Sequence, residues 1–225
     1  MNALLFAILG AMVKVTVDPV DAAVELDGIA LVNPVLEGPH QLVVWKRGYF
    51  DAIQHLTITD KDITVKIKLQ PGISAAGQVR TSPFERPTYQ GWTQISPGIW
   101  RGTTRDKGDS WNVVGPLEGG LPEVYMLRLA IRGDSTEARS IGVFGWRPEA
   151  LPQNWTSVTL IGYRHYLWAQ IGTSATIRLP NSGAKSVSVT SHPFKTAWVE
   201  VKDVQVQDLT VADLRAMKLL KPEEK

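Results

Sequence analysis

Val13-Lys14-Val15-Thr16-Val17 and Ile63-Thr64-Val65-Lys66-Ile67-Lys68-Leu69 decide the fold class. In both stretches apolar side chains alternate with polar ones. A strand sends successive side chains to opposite faces, so this period of two places one set on a core and the other in water. Short runs separated by turn signals lie between them. Asp18-Pro19 ends the first run, and Ala23 to Leu26 makes the next. Asp27-Gly28 then supplies the positive φ of a tight hairpin turn. Asn33-Pro34 marks a loop and Glu37-Gly38-Pro39 a second turn. His40 to Trp45 and Gln54 to Thr59 read as strands, and Asp60-Lys61 precedes the last one. Residues 13–69 are expected to form a small β-sandwich.

Two short stretches carry a family resemblance. Pro19-Val20-Asp21-Ala22 stands where PEGA domains carry Pro-Glu-Gly-Ala, and departs at the two middle positions. Arg47-Gly48-Tyr49 matches the Gly-Tyr that often follows the central strand of that family. With its strand rhythm, the segment resembles a PEGA module. The resemblance covers roughly a quarter of the chain. It implies a spacer or interaction domain and no reaction.

Residues 70–77, beginning Gln70-Pro71-Gly72, read as a linker. Residues 78–208 hold some nine or ten further strand-like runs, which suggests a two-sheet sandwich or jelly roll. Pro83 and Pro87 mark an extended crossing, and Trp92 to Arg101 a hairpin around Ser96-Pro97-Gly98. Val124 to Ile131 and Ala138 to Trp146 flank Gly133-Asp134-Ser135-Thr136 and read as a second hairpin. Tyr125-Met126-Leu127-Arg128-Leu129, Gly142-Val143-Phe144-Gly145-Trp146 and Trp198 to Val206 give the region a look similar to carbohydrate-binding jelly-roll modules.

The chain ends in Thr210-Val211-Ala212-Asp213, a helix start of capping-box type with Asp in place of Glu. Val211, Leu214, Met217 and Leu220 then recur at helical spacing, and Pro222 stops the run. Residues 209–225 are therefore expected to be a short helix and tail, docked on a neighbour or on the chain's own sandwich. The expected class is all-β: two sandwiches, an N-terminal arm and this helix.

Composition limits the function classes. The chain has 225 residues, 24 basic and 22 acidic, with no long basic run, so the electrostatic footprint of a nucleic-acid binder is missing. It has no cysteine, which removes disulfides, thiolate metal sites and a Cys nucleophile. Residues 1–12 form an arm with a continuous apolar run, Ala3 to Met12. A signal peptide would carry a basic start and a small-residue cleavage site, and neither is present. A span needs about 20 apolar residues, so a membrane anchor is not favoured. Burial against a partner subunit is the favoured fate, with packing in the chain's own core, a cleaved signal and a membrane anchor as the alternatives. Burial against a partner makes Leu4, Leu5, Phe6, Ile8 and Leu9 assembly contacts, with Leu214, Met217 and Leu220 at the other end.

Candidate chemistry is sparse. Seven of the eight Trp follow residue 90. Trp92, Trp100, Trp111, Trp146 and Trp155 flank predicted loops and are candidates for stacking on a glycan, whose C–H face suits a flat π-surface. A core role is the commoner fate of such residues. Arg132-Gly133-Asp134 spells an adhesion tripeptide, but a turn asks for Gly and Asp anyway. Asn154-Trp155-Thr156 is a glycosylation acceptor only in a eukaryotic secretory setting, and otherwise a loop. His40, His55, His165 and His192 stand apart from metal-ligand spacing, although His165 in Tyr163-Arg164-His165-Tyr166 fits a polar groove as well as a strand end. Asp106, Asp109, Glu118 and Glu123 lie near loops, where two carboxylates serve a glycosidase or several hold Ca²⁺. No catalytic constellation, metal site or cofactor is expected.

These observations point to a non-enzymatic structural protein that contacts copies of itself and other structural proteins. Its architecture resembles tail, baseplate and capsid-associated proteins of tailed-phage virions, assembled in the host cytoplasm. The alternatives are a carbohydrate-binding or adhesion module on a virion or cell surface, and a glycoside-active enzyme on a β-sandwich.

Overall fold

The two alternating runs that bracket residues 13–69 lie side by side. Val13–Asp18 pairs in parallel with Ile63–Lys68, with Val13 opposite Ile63 and Val17 opposite Ile67. In this computed structural model the described residues are 10–71, 79–81, 92–104, 112–117, 119–134 and 136–224. They are all-β apart from one short helix, and the chain divides into two compact units, residues 1–71 and 72–225.

In the first unit a four-stranded antiparallel sheet runs Ile29–Ala30, Ala23–Leu26, Gly38–Trp45, Ala52–Ile58. Its inward side chains Leu26, Leu42, Val44 and Ile58 share a core with Val13 and Ile67 of the parallel pair. The polar partners Lys14, Thr16, Thr64 and Lys66 are exposed, as the alternation requires. Asp27 and Gly28 turn the hairpin with φ of 52° and 82°, the mirror-image turn that matches strand twist. The Asp27 carboxylate also accepts from the Gln41 backbone N–H at 2.8 Å and lies 2.7 Å from His40 Nδ1. Asn33 clamps the first strand through both backbone groups of Val13, at 2.7 and 3.1 Å.

The module is slightly larger than the alternation suggests. Gly10–Ala11 pairs with Val35–Leu36, and Ala11 is fully buried in the core. The last residues of the expected arm therefore belong to the fold. Gln70–Pro71, expected to start the linker, pairs with Tyr49–Phe50. Residues 72–77 lie outside the described residues, as do Leu4, Leu5, Phe6, Ile8 and Leu9.

The second unit is built on two 11-residue strands, Val124–Asp134 and Trp198–Asp208, at the centre of an eight-stranded sheet. The path is Trp92–Ser96, Ile99–Thr103, Trp198–Asp208, Val124–Asp134, Thr156–Tyr163, Tyr166–Ile171, Ile177–Pro180, with Val79–Thr81 also paired to Trp198–Asp208. A three-stranded sheet, Asn112–Pro116, Ser186–Ser191, Ala138–Val143, supplies the other layer. Leu127, Leu129, Ile131, Leu160, Val199 and Val206 of the large sheet share one core with Ile141, Val143, Val187 and Val189 of the small one.

The structure corrects one expected hairpin. Val124–Asp134 pairs with Thr156–Tyr163 and Trp198–Asp208, whereas Ala138–Val143 pairs with Ser186–Ser191 in the other sheet. The two strands face each other across the core instead of lying edge to edge. Both arrangements satisfy the same alternation and need the same polar connection, so local pattern does not separate them. The expected hairpin around Ser96-Pro97-Gly98 is present, with Ser96 opposite Ile99.

The C-terminal helix is Val211–Ala216, with the expected capping box between Thr210 and Asp213. Its end is a Schellman motif. Lys218 takes φ 59°, its N–H donates to Arg215 O, and the Leu219 N–H donates to Leu214 O. Leu214 and Leu220 are buried by the chain itself and Met217 is half-buried. The two leucines are thus not open to a neighbour. The segment is tethered to the large sheet by Arg178, whose guanidinium donates to Glu224 at 2.8 Å. Beside Arg178 on the same face stand Trp168 and Ile161, which point away from the core and are nevertheless buried.

This tether gives a first testable outcome. The Lys221 backbone N–H, and then Arg178, hold the Glu224 carboxyl below the usual carboxylate range. A depressed pKa in the folded chain means that the contribution is present above the unfolded value and lost as pH falls through the folded one. In an NMR titration the Lys221 amide is expected to move only below the ordinary Glu range. A midpoint at or above about 4.3 contradicts the tether.

Candidate functional site

Three places in the chain carry more than packing. The first is an apolar surface on the first unit. Val32 and Leu36 are 72% and 60% exposed, and Met12 is 51% exposed. They lie along one edge of the unit: Leu36 pairs with Gly10, two residues before Met12, and Asn33 beside Val32 is bonded to Val13 beside Met12. The apolar stretch 3–9 leads into the fold at this edge. Single exposed apolar residues are ordinary, but three on one edge beside the entry of an apolar segment are a candidate patch.

The second place is the outer face of the large sheet. Glu200 is fully buried, and both its oxygens are held by arginines from the flanking strands. Arg101 donates from Nε at 2.7 Å and also from Nη2 to Oε1, and Arg132 donates from Nε to Oε2 at 2.6 Å. The register puts Arg101, Glu200 and Arg132 directly opposite one another. Each guanidinium also lies over an indole, Arg101 over Trp198 at 5.0 Å and Arg132 over Trp155 at 4.7 Å. Lys202 Nζ lies 4.8 Å from the same Trp155 ring. The cluster is a cross-strand lock in which charge-assisted forks satisfy the buried carboxylate.

This lock settles the adhesion tripeptide. Arg132-Gly133-Asp134 is the end of a central strand, not a loop tip. Arg132 is engaged by Glu200, Gly133 is buried, and Asp134 Oδ1 accepts from Thr136. The Thr136 hydroxyl, then its backbone N–H, keeps the Asp134 carboxyl below its ordinary pKa.

The tryptophans part company. Trp92 and Trp146 are buried in the core of the second unit, and Trp100 is partly buried against it. Core packing therefore holds these three. Trp155 is half-buried with Arg132 and Lys202 against its ring. Trp111 lies outside the described residues, as do Asp106, Asp109 and Glu118. Glu123 is exposed, and Asn154 sits in an exposed turn whose carbonyl accepts from the Thr156 hydroxyl at 3.1 Å. Among the described residues no group of three or more His, Asp or Glu gathers to hold a metal.

The third place is a cleft at one end of the second sandwich, with a volume of about 380 Å³, lined by Gly145, Arg147, Leu179, Pro180, Asn181 and Ser182. Its walls come from three loops tied to one another. Asn181 donates from Nδ2 to Arg164 O at 3.0 Å and from its backbone to His165 O at 2.9 Å. Its Oδ1 accepts from the Gly183 N–H at 2.9 Å, and the Ser182 hydroxyl donates to Gly145 O at 3.2 Å. Asn181 Oδ1 sits 2.5 Å from where a Cβ on residue 145 would be, so only glycine allows this approach. Phe144 and Arg164, in two of these loops, hold φ of 46° and 51°. Left-handed backbone at non-glycine residues marks loops fixed by their surroundings. His165 contributes its carbonyl here, and its ring packs against Tyr166 at 3.9 Å.

Sequence reasoning did not find this lock or this cleft. One signal for the lock was present. Val199, Val201, Val204 and Val206 alternate with a one-residue break at Lys202-Asp203, which is the bulge where Asp203 takes φ 56° and the register shifts. Polar residues opposite such strands face outward together.

No protein-family model matches the chain, and no curated protein matches it. Among solved structures, a "putative glycosyl hydrolase" from Parabacteroides distasonis aligns with 59% of this chain and 88% of its own at 11% identity and a TM-score of 0.35. At that score the likeness carries no argument about fold or activity. No helix among the described residues is long and apolar enough to cross a membrane.

Proposed function

We propose that the chain is a non-enzymatic structural protein that assembles with copies of itself and with other structural proteins, as virion components of tailed phages do. The exposed apolar residues Met12, Val32 and Leu36, on the edge where the apolar stretch 3–9 leads into the fold, support this reading. Such a patch stays soluble when something covers it, and a small module has little core to spare for Leu4, Leu5, Phe6, Ile8 and Leu9. Burying each contributes about 1.5 to 3 kcal/mol, enough in sum to hold an interface. The resemblance to PEGA modules points the same way, toward a spacer or interaction domain.

A deletion that tests this must stop short of the module. Ala11 is core and the Met12 N–H is bonded to Asp62, so removing residues 10–12 would damage the module itself. Deletion of residues 2–9 is expected to leave a folded, soluble monomer, while the full chain forms a larger species by light scattering. An unchanged oligomer after the deletion would sink the proposal. A membrane-bound full chain released by the deletion would favour an anchor instead.

The glycoside-active alternative draws no support from the geometry described. Glu200 is buried and engaged by two arginines, and the cleft lining contains no carboxylate. A retaining or inverting pair needs two carboxyl groups facing one open groove.

A further inference from the structure

We infer that the cleft at Gly145, Arg147 and Asn181 is a binding site for a small carboxylate-bearing sugar of the uronic acid type, independent of the assembly surface on the first unit. The argument begins with Arg147. Arg101, Arg132 and Arg178 each hold a carboxylate of this chain. Arg147 is exposed, lines the cleft, and has no ion pair or hydrogen bond among the described residues. Its planar fork matches one carboxylate in two parallel bonds. A single cation fits a monoanion better than a phosphate dianion.

The remaining walls select the body of the ligand. Leu179 and Pro180 form an apolar flank, and Asn181 and Ser182 a polar one. A pyranose presents the same division, C–H groups on a face and hydroxyls around the edge. The Ser182 hydroxyl donates its proton to Gly145 O, which leaves the Oγ lone pairs to accept from a ligand hydroxyl. Asn181 spends one Nδ2 proton on Arg164 O and one Oδ1 lone pair on Gly183, leaving one of each. A volume of about 380 Å³ is at the small end of ligand pockets and suits one or two sugar rings. The loops are fixed by bonds among themselves, so little ordering is lost on binding. None of the lining side chains is an acid or a base paired with a nucleophile, which makes this a site for holding a ligand and not for cleaving it.

The test titrates glucuronate and galacturonate into ¹⁵N-labelled full chain and follows the amides of Gly145, Ser182 and Gly183. Localised shifts are expected at those residues with saturation in the millimolar range. Arg147→Gln is expected to weaken binding at least about tenfold, some 1.4 kcal/mol, without changing Tm. Glucose is expected to bind at least about tenfold more weakly than glucuronate. Absence of shifts at these residues overturns the proposal, and so does equal binding by Arg147→Gln. Acetate or inorganic phosphate binding as tightly as glucuronate would also overturn it, since the site would then hold only a bare anion.

Discussion

Replacing Arg101 and Arg132 together by Met is expected to lower the unfolding free energy by about 3 to 5 kcal/mol. The reason is the position of Glu200, not the number of bonds lost. Its carboxylate is fully buried on a central strand and is satisfied by arginines from both neighbours. Without them it is a buried charge with no counterion, the costliest state for a broken pair. Glu200→Gln should cost less, because Arg101 and Arg132 are partly exposed and can rehydrate. Adding Glu200→Leu to the double arginine variant should therefore restore stability, since no charge is left stranded. Urea unfolding of the four proteins measures this. A triple variant no more stable than the double one would show that the loss came from the stems packed on Trp155 and Trp198 instead.

Trp146→Ala is expected to cost about 3 to 5 kcal/mol. Trp146 is buried in the core of the second unit and closes a two-residue turn through reciprocal backbone bonds with Val143. Its removal empties a large volume in a core also lined by Phe144, Leu167 and Leu151. By thermal melting, Tm of this unit should fall by roughly 6 to 20 °C. A stable variant would mean that the ring faces a ligand and not the core.

Strand identity was legible because alternation is local. The runs around Val15, Val65, Leu129 and Val199 all lie where their sequence places them, and the Asp27-Gly28 turn and the Thr210–Asp213 cap were readable as chemistry. Sheet membership was not legible. Nothing local says that Ala138–Val143 crosses to the other layer, since the deciding contacts with Ser186–Ser191 are some fifty residues away. The sites failed for the same reason. Arg101, Arg132 and Glu200 meet only through register, and Arg147 and Asn181 only because three loops end at one corner. For Trp146 the flanking turn was visible in the sequence, while its burial, the commoner fate of such residues, needed the fold.

The apolar patch was half legible. The run Ala3 to Met12 announced a segment needing cover, but only the pairing of Gly10 with Leu36 shows where it joins the fold. That junction makes the central claim open to a direct measurement. Sedimentation velocity of the full chain should show a concentration-dependent oligomer. Val32→Lys with Leu36→Lys, both at exposed positions and so nearly neutral for the fold, should sediment as a monomer. A full chain that is monomeric at every concentration, or a variant that sediments like the parent, would contradict the account.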